Sequence, residues 1–296
     1  MVLFHILYSE IVPICYQVAH VLLKGCLDGG LQAIATPAQS RYEDSDDIIY
    51  ICVCPLDPMP SRYVLHLADS LLKYDVRFLI MNTFATTKQS LIGILDHSES
   101  QLQELQKLAL KYSGVNVPAV ALPLGYSSLY PGPIQNPSML EVVFLGTVTK
   151  RRQGVLADVH SSTGIKIHTS NNAHDLSTKS SIFSRFKICL SIGQMNFKFE
   201  TNDMARISEV VSNKGFIICE ESGDPIEERL REYIPFVEFN NRAQLIETIN
   251  YYLTHEEERL AKIEAAYEFL KREFNMANLV PEALRKLGVL NEIEIT

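Results

Sequence analysis

The stretch of this 296-residue chain richest in chemistry is Gly146-Thr147-Val148-Thr149-Lys150-Arg151-Arg152. An apolar run, Glu141 to Leu145, stops at a glycine, and a cationic cluster opens the periodic segment that follows. Glycine lets the backbone approach a ligand closely, and a helix start offers unpaired N–H groups at the positive end of its dipole. Three cations beside such a start suit a diphosphate; a solvated basic turn would have the same composition. A second cluster runs from Asn202 through Arg206 to Glu209. Asn202 reads as a helix cap, and Arg206 and Glu209, three apart, share one face of the first turns. A cation there can hold phosphate. A carboxylate one turn on can accept from ribose hydroxyls, as acidic residues do in other nucleotide folds. The alternative is a surface ion pair. A third segment, Leu122-Pro123-Leu124-Gly125-Tyr126, closes a strand-like run, and open α/β sheets bind ligands beyond such ends.

The elements that must position these residues alternate between strand and helix. Val2 to Tyr8 reads as a strand, and Pro13 stands where the helix of Ile11 to Lys24 can begin. Ile48 to Val53 is a strand bounded by acidic and proline-rich punctuation. Ser61 to Tyr74 reads as an amphipathic helix and Val76 to Met81 as the next strand. Leu91 to Leu95 is a strand, Ser98 and Gln101 form a capping-box pattern for a helix to about Tyr112, and Val117 to Leu122 is another strand. Pro123 to Ser138 is dense in proline and glycine and reads as a linker. After it the alternation restarts. Strands fall at Glu141 to Leu145, Ile165 to His168, Lys187 to Ile192, Phe216 to Cys219 and Val237 to Phe239. Helices fall at Lys150 to His160, Asn202 to Asn213, Arg242 to Leu253 and Glu256 to Phe274. Such alternation implies parallel pairing in open α/β sheets. Three parts are expected: a first Rossmann-like lobe over 1–130, a second over 138–275, and a terminal helix over 276–296.

Composition narrows the classes. A formal net charge of -8 and a pI of about 5.5 argue against a broad grip on nucleic acid, though not against a local pocket for one diphosphate. The longest early apolar stretch, Ile11 to Leu23, is interrupted by Gln17 and His20 and is too short to span a bilayer. With no basic leader at the start, a cytoplasmic chain is expected. The six cysteines form no C-x-x-C pair and read as buried free thiols, with Cys52 and Cys54 on one face of a strand. No G-x-G-x-x-G follows a strand, which argues against a dehydrogenase. The D-S-D letters at Asp44-Ser45-Asp46 sit in a polar loop and read as a loop rather than a metal motif.

Taken together, the motifs resemble a known family. The run from Glu141 to Glu221, with "LGTVTKRRQGVL", "FKICLSIG" and "ARISEVVSNKGFIICEE" in order, is similar to the donor lobe of GT-B glycosyltransferases. The likeness is to the branch that includes spore-maturation (CgeB-like) proteins. Upstream, "GILDHS" and "ALPLGY" resemble the end of that family's acceptor lobe, so the likeness covers roughly Leu91 to Phe274. It implies two Rossmann-like lobes with parallel sheets facing across a cleft, an acceptor-side lobe over 1–130 and a nucleotide-sugar donor lobe over 138–275, with a C-terminal helix over 276–296 that crosses back to the first lobe or packs on its own. It also implies transfer of a hexosyl or pentosyl group from a nucleotide-sugar donor to a carbohydrate or other hydroxyl acceptor, with no metal or other cofactor. By position, Arg206 would lie near the diphosphate and Glu209 would bind the ribose. Lys150, Arg151 and Arg152 would lie near the phosphates, Lys187 would border the site, and Gly146 and Thr147 would form the tight turn. The chain departs from the family in two places. Glu200 lies nine before Glu209, unlike the usual two-carboxylate spacing, and the strand reading Leu190-Ser191-Ile192-Gly193-Gln194 lacks the family's Asn and His. An inverting transfer would need a base, for which Glu10, Asp57 and His97, each following a strand, are candidates. The competing readings are a binding protein without turnover, a sugar-nucleotide epimerase on the same architecture, and a response-regulator-like scaffold.

Overall fold

The computed structural model describes residues 2–9, 13–38, 45, 47–54, 59–60, 62–67, 81, 83–85, 90–130, 132, 140–170, 176–195 and 203–290. It divides into two compact units: Met1–Leu129 with Phe274–Thr296, and Tyr130–Glu273.

The first unit contains β1 (Leu3–Tyr8), α1 (Pro13–Asp28), β2 (Gln32–Pro37), β3 (Ile48–Val53), β4 (Tyr63–Leu67), β5 (Leu91–Asp96), α2 (Glu99–Ser113) and β6 (Ala119–Ala121). The strands pair in parallel in the order β2-β1-β3-β4-β5-β6. Parallel sheets are covered on both faces, so their strands are apolar throughout rather than alternating. This explains where the sequence misleads. Ser61 to Tyr74 reads as a helix, yet Tyr63–Leu67 is β4, with every residue buried. A doubly covered strand has no period of two to betray it. β2 lacked a clear apolar run and goes unannounced. Residues 76–80 of the expected next strand lie outside the described residues, and Met81 is helical. The Ser98/Gln101 capping box does not form. Ser98 makes no side-chain cap, and Gln101 Nε2 instead donates to the Asp96 carboxylate at 3.2 Å. Cys54 leaves the strand that holds Cys52, at φ +67°.

The last helix of the chain, labelled α9 (Met276–Lys286) in chain order, belongs to this unit and packs on α1. Gly25 and Gly29 allow the approach. A Cβ on Gly29 would stand 2.6 Å from the Ala277 carbonyl oxygen, and one on Gly25 2.9 Å from that of Met276. Pro281 lies inside α9 and has no N–H, so the Ala277 carbonyl, four residues earlier, loses its helical partner. That freed carbonyl is the one set against Gly29.

His66, in β4, is fully buried, and neither ring nitrogen finds a hydrogen-bond partner. Burial first, and His97 second, push its pKa down to about 3 from the ordinary value of 6.5. The unfolded chain therefore binds a proton below about pH 6.5 that the folded chain refuses. Stability is full above that pH and falls as pH drops towards 3, by at most about 1.4 kcal/mol per unit. His66→Leu should flatten this slope, as read from urea midpoints between pH 4.5 and 7; an unchanged slope would refute the assignment.

The second unit runs β7 (Leu140–Leu145), α3 (Lys150–Thr163), β8 (Ile167–Ser170), α4 (Leu176–Phe183), β9 (Phe186–Ser191), α5 (Met204–Ser212), β10 (Ile217–Glu220), α6 (Ile226–Leu230), β11 (Phe236–Val237), α7 (Arg242–Thr254) and α8 (Glu256–Glu273). Its parallel sheet has the order β11-β10-β9-β7-β8 around a core that includes Val142, Phe144, Ile188, Leu190 and Ile218. Counted within the unit, the order is second-first-third-fourth-fifth. The connections from β7 and from β8 therefore run in opposite directions, and a crevice opens between the carboxyl ends of β7 and β9. Among the described residues, no helix is long and apolar enough to cross a membrane.

Candidate functional site

That crevice gathers most of the residues singled out above. β7 ends at Leu145, and Gly146 turns the chain at φ +132°, a conformation costly for any side chain. Thr149 then caps α3, its hydroxyl accepting from the Arg152 amide. The amides of Lys150 and Arg151 open the helix, where no helical carbonyl can reach them.

The three cations behave differently. Lys150 is exposed and in no ion pair among the described residues. Arg152 is half-buried over the Phe144 ring; its Nε donates to the Ile192 carbonyl at 2.9 Å and its Nη1 to that of Thr147 at 3.0 Å. Burial lowers its pKa, and it too has no ion pair among the described residues. Among the described residues, its Nη2 makes no hydrogen bond.

Arg151 turns inward. It donates to the Gly193 carbonyl at 2.6 Å, to Asn240 Oδ1 at 2.8 Å and to the Glu220 carboxylate, and lies over the Phe239 ring. Glu220 in turn accepts from the Gly193 amide at 2.8 Å and the Asn240 amide at 2.9 Å. With side-chain exposures of 4% and 8%, Arg151 and Glu220 form a buried ion pair that ties the ends of β9, β10 and β11 to the start of α3. Thr149 Oγ1 donates to the Gln194 carbonyl at 3.1 Å. Three consecutive carbonyls after β9 are thus gripped by Arg152, Arg151 and Thr149. The sequence placed Arg151 beside phosphate; the structure commits most of its donors to this framework.

Arg206 does reach the crevice. Its Nη2 donates to the Leu145 carbonyl at 3.2 Å, and its Nη1 to Glu209 Oε2 at 2.7 Å. Burial opposes its charge, but Glu209 and Asp203 outweigh it and hold the guanidinium above its ordinary pKa. Asp203, rather than Asn202, caps α5. Glu209, expected at the ribose, is 1% exposed. Its Oε1 lies 2.7 Å from Lys179 Nζ, close in distance but off hydrogen-bonding geometry.

Lys187 is misplaced by the sequence reading. It is the second residue of β9, whose Phe186 pairs with Leu140 at the start of β7. Four residues at about 3.3 Å each separate it from the strand's carboxyl end, so it lies at the far edge of the sheet from the crevice. Glu10, Asp57 and Glu200 lie outside the described residues. His97 follows β5 in the first unit. Its Nδ1 donates to the Leu67 carbonyl at 3.2 Å and lies 3.6 Å from the buried Asp96 carboxylate. Sequence reasoning missed Glu220, Asn240 and Lys179. Glu220 ends an apolar strand as any capping residue might, Asn240 sits in a turn, and the helix carrying Lys179 had no periodic signal.

Comparison with known proteins bears on this arrangement. Residues 145–285 match the family model described as "Glycosyl transferase-like". No curated protein matches the chain by sequence. Among solved structures, the chain is similar to a UDP-forming alpha,alpha-trehalose-phosphate synthase from Burkholderia xenovorans, at TM-score 0.62 and 12% identity over 97% of this chain and 99% of that one. The fold is GT-B. Anabaena HepE in complex with UDP is also similar, at TM-score 0.60 and 9% identity, covering 98% and 100%. S. aureus TarM, in complex with Fondaparinux, alpha-GlcNAc-glycerol and UDP, gives 0.58 and 12%, covering 83% of this chain. The chain spans 56% of that TarM chain. At these identities the likeness is one of fold, and the GT-B assignment rests on two parallel α/β units of the order described.

Proposed function

We propose that this GT-B chain is a glycosyltransferase of the CgeB-like branch that moves a hexosyl or pentosyl group from a nucleotide sugar to a hydroxyl acceptor. The second unit takes the donor. One observation carries this reading: Lys150 and Arg152 bring charge without carboxylate partners to the open start of α3, beside the Gly146 turn and Arg206, at the switch point of the sheet. A leaving diphosphate there would be neutralised by the helix dipole and these side chains, with no metal required. Arg151 and Glu220 shape the crevice rather than touch the ligand. His97 is the described candidate to take the acceptor's proton.

Calorimetric titration with UDP, GDP and ADP tests the reading. One series should bind, and Lys150→Ala, Arg152→Ala and Arg206→Ala should each weaken it. A charge-assisted hydrogen bond lost at about 1.5–3 kcal/mol corresponds to roughly 10- to 100-fold in Kd. Lys150 is exposed and in no ion pair among the described residues, so undiminished binding by Lys150→Ala and Arg152→Ala would sink the proposed donor site.

A further inference from the structure

The carboxyl edge of the first unit's sheet carries side chains that the donor site does not use. Its order, β2-β1-β3-β4-β5-β6, places a second switch point between β1 and β3. Tyr8, the last residue of β1, packs edge-on against Tyr16 at 5.6 Å and His20 at 5.5 Å, both on the first turns of α1. Tyr16 and His20 lie 4.0 Å apart with their rings tilted by 32°, and Tyr16 remains 38% exposed. A ring held from behind by two others, yet open in front, has lost its rotamer freedom before any ligand arrives. Further along the same edge, Cys54 follows β3 at φ +67°, and such strain gathers where a site dictates the backbone. His97 follows β5 on the same edge. Because His97 Nδ1 bonds the Leu67 carbonyl, its Nε2 is the ring nitrogen left outside that bond, and in the neutral imidazole it can accept a hydrogen bond. The Asp96 behind it is fully buried, accepting from the Ser98 amide at 2.7 Å and from Gln101.

We infer that this edge binds a neutral saccharide longer than one ring, with a pyranose stacked on the Tyr16–His20 face and a hydroxyl of a neighbouring ring donating to His97 Nε2. The inference rests on the reading of the first unit as the acceptor side. Length follows from spacing: three strand intervals of about 4.8 Å separate β1 from β5, roughly 14 Å. Neutrality follows from the described residues named, which offer aromatic faces and an acceptor nitrogen, the Asp96 carboxylate being turned into the protein. A phosphorylated acceptor would find no cation among them.

Saturation-transfer NMR on the whole protein tests this without turnover, using methyl β-maltoside, methyl α-glucoside and glycerol as probes. The two-ring probe should receive the strongest transfer and glycerol none. Tyr16→Ala should reduce transfer to the maltoside several-fold, Tyr16→Phe should retain it, and His97→Gln should weaken it. Tyr251→Ala, an exposed ring of the second unit, should change nothing. The inference is overturned if the wild type saturates no glycoside, or if Tyr16→Ala matches it. Calorimetry with UDP, GDP and ADP on the same samples separates the two readings: nucleotide binding without saccharide contact removes this site alone, and loss of both removes the donor site as well.

Discussion

Arg151→Ala is expected to cost the second unit about 3–5 kcal/mol, because it strands the Glu220 carboxylate in the protein without its cation. The loss goes beyond one pair. Glu220 also holds the Gly193 and Asn240 amides, and Arg151 holds the Gly193 carbonyl, so the ends of β9, β10 and β11 loosen together. Glu220→Ala should cost a similar amount by leaving the guanidinium unpaired, whereas the double variant should cost less than the sum of the two. Thermal unfolding followed by a probe within residues 130–273 reads this directly. Additive effects, or a loss below about 1 kcal/mol, would show the network to be ornamental. Nucleotide affinity should fall in parallel, since the loop after β9 lines the crevice.

Gly125→Ala should have an effect at least as large, exerted on the first unit. A Cβ there would stand 1.8 Å from the Phe274 carbonyl oxygen and 2.6 Å from the Phe274 Cβ. Neither neighbour is the flexible end of a side chain, so the backbone must move. Next to it, the Tyr126 carbonyl accepts from the Met276 amide at 3.0 Å, and this bridge would part with it. The expected loss exceeds about 4 kcal/mol, in the range reserved for gross steric or core failure. Limited proteolysis should then cut within residues 274–290, which the parent protein protects. Gly154→Ala, in α3, is the control, since an added Cβ meets only Arg242 Nη2 at 3.8 Å. It should be neutral or stabilising by about 0.5–1 kcal/mol. If Gly125→Ala keeps the parent's stability, the contact with Phe274 is not as drawn.

Much of the second unit could be read in advance because its signals are local. A strand, a glycine, a cap and a basic helix start lie within a dozen residues, and each has its own physical cause. Gly146, Thr149, Lys150 and Arg152 lie together between β7 and the first turn of α3, and Arg206 reaches the Leu145 carbonyl beside them. Arg151 and Lys187 show the limit. Whether an arginine in a cationic run faces ligand or core depends on a carboxylate 69 residues away, Glu220, which no local pattern announces. Lys187 was assigned to the right strand but the wrong end, since a motif's letters do not say which edge of a parallel sheet binds. In the first unit, β4 was hidden by the lack of alternation that double coverage allows, and the aromatic group of Tyr8, Tyr16 and His20 drew no notice because its members belong to a strand and the helix after it.

The return of residues 274–290 to the first unit also orders the events of synthesis. Residues 130–273 form a continuous stretch and can complete their unit as soon as they emerge from the ribosome. The first unit cannot close so early. The face of α1 that carries Gly25 and Gly29 must wait for a helix some 250 residues later in the chain, and until then it presents bare apolar surface. The half of the protein made first is therefore the half finished last, and a chaperone attending the nascent chain would be expected to rest on α1.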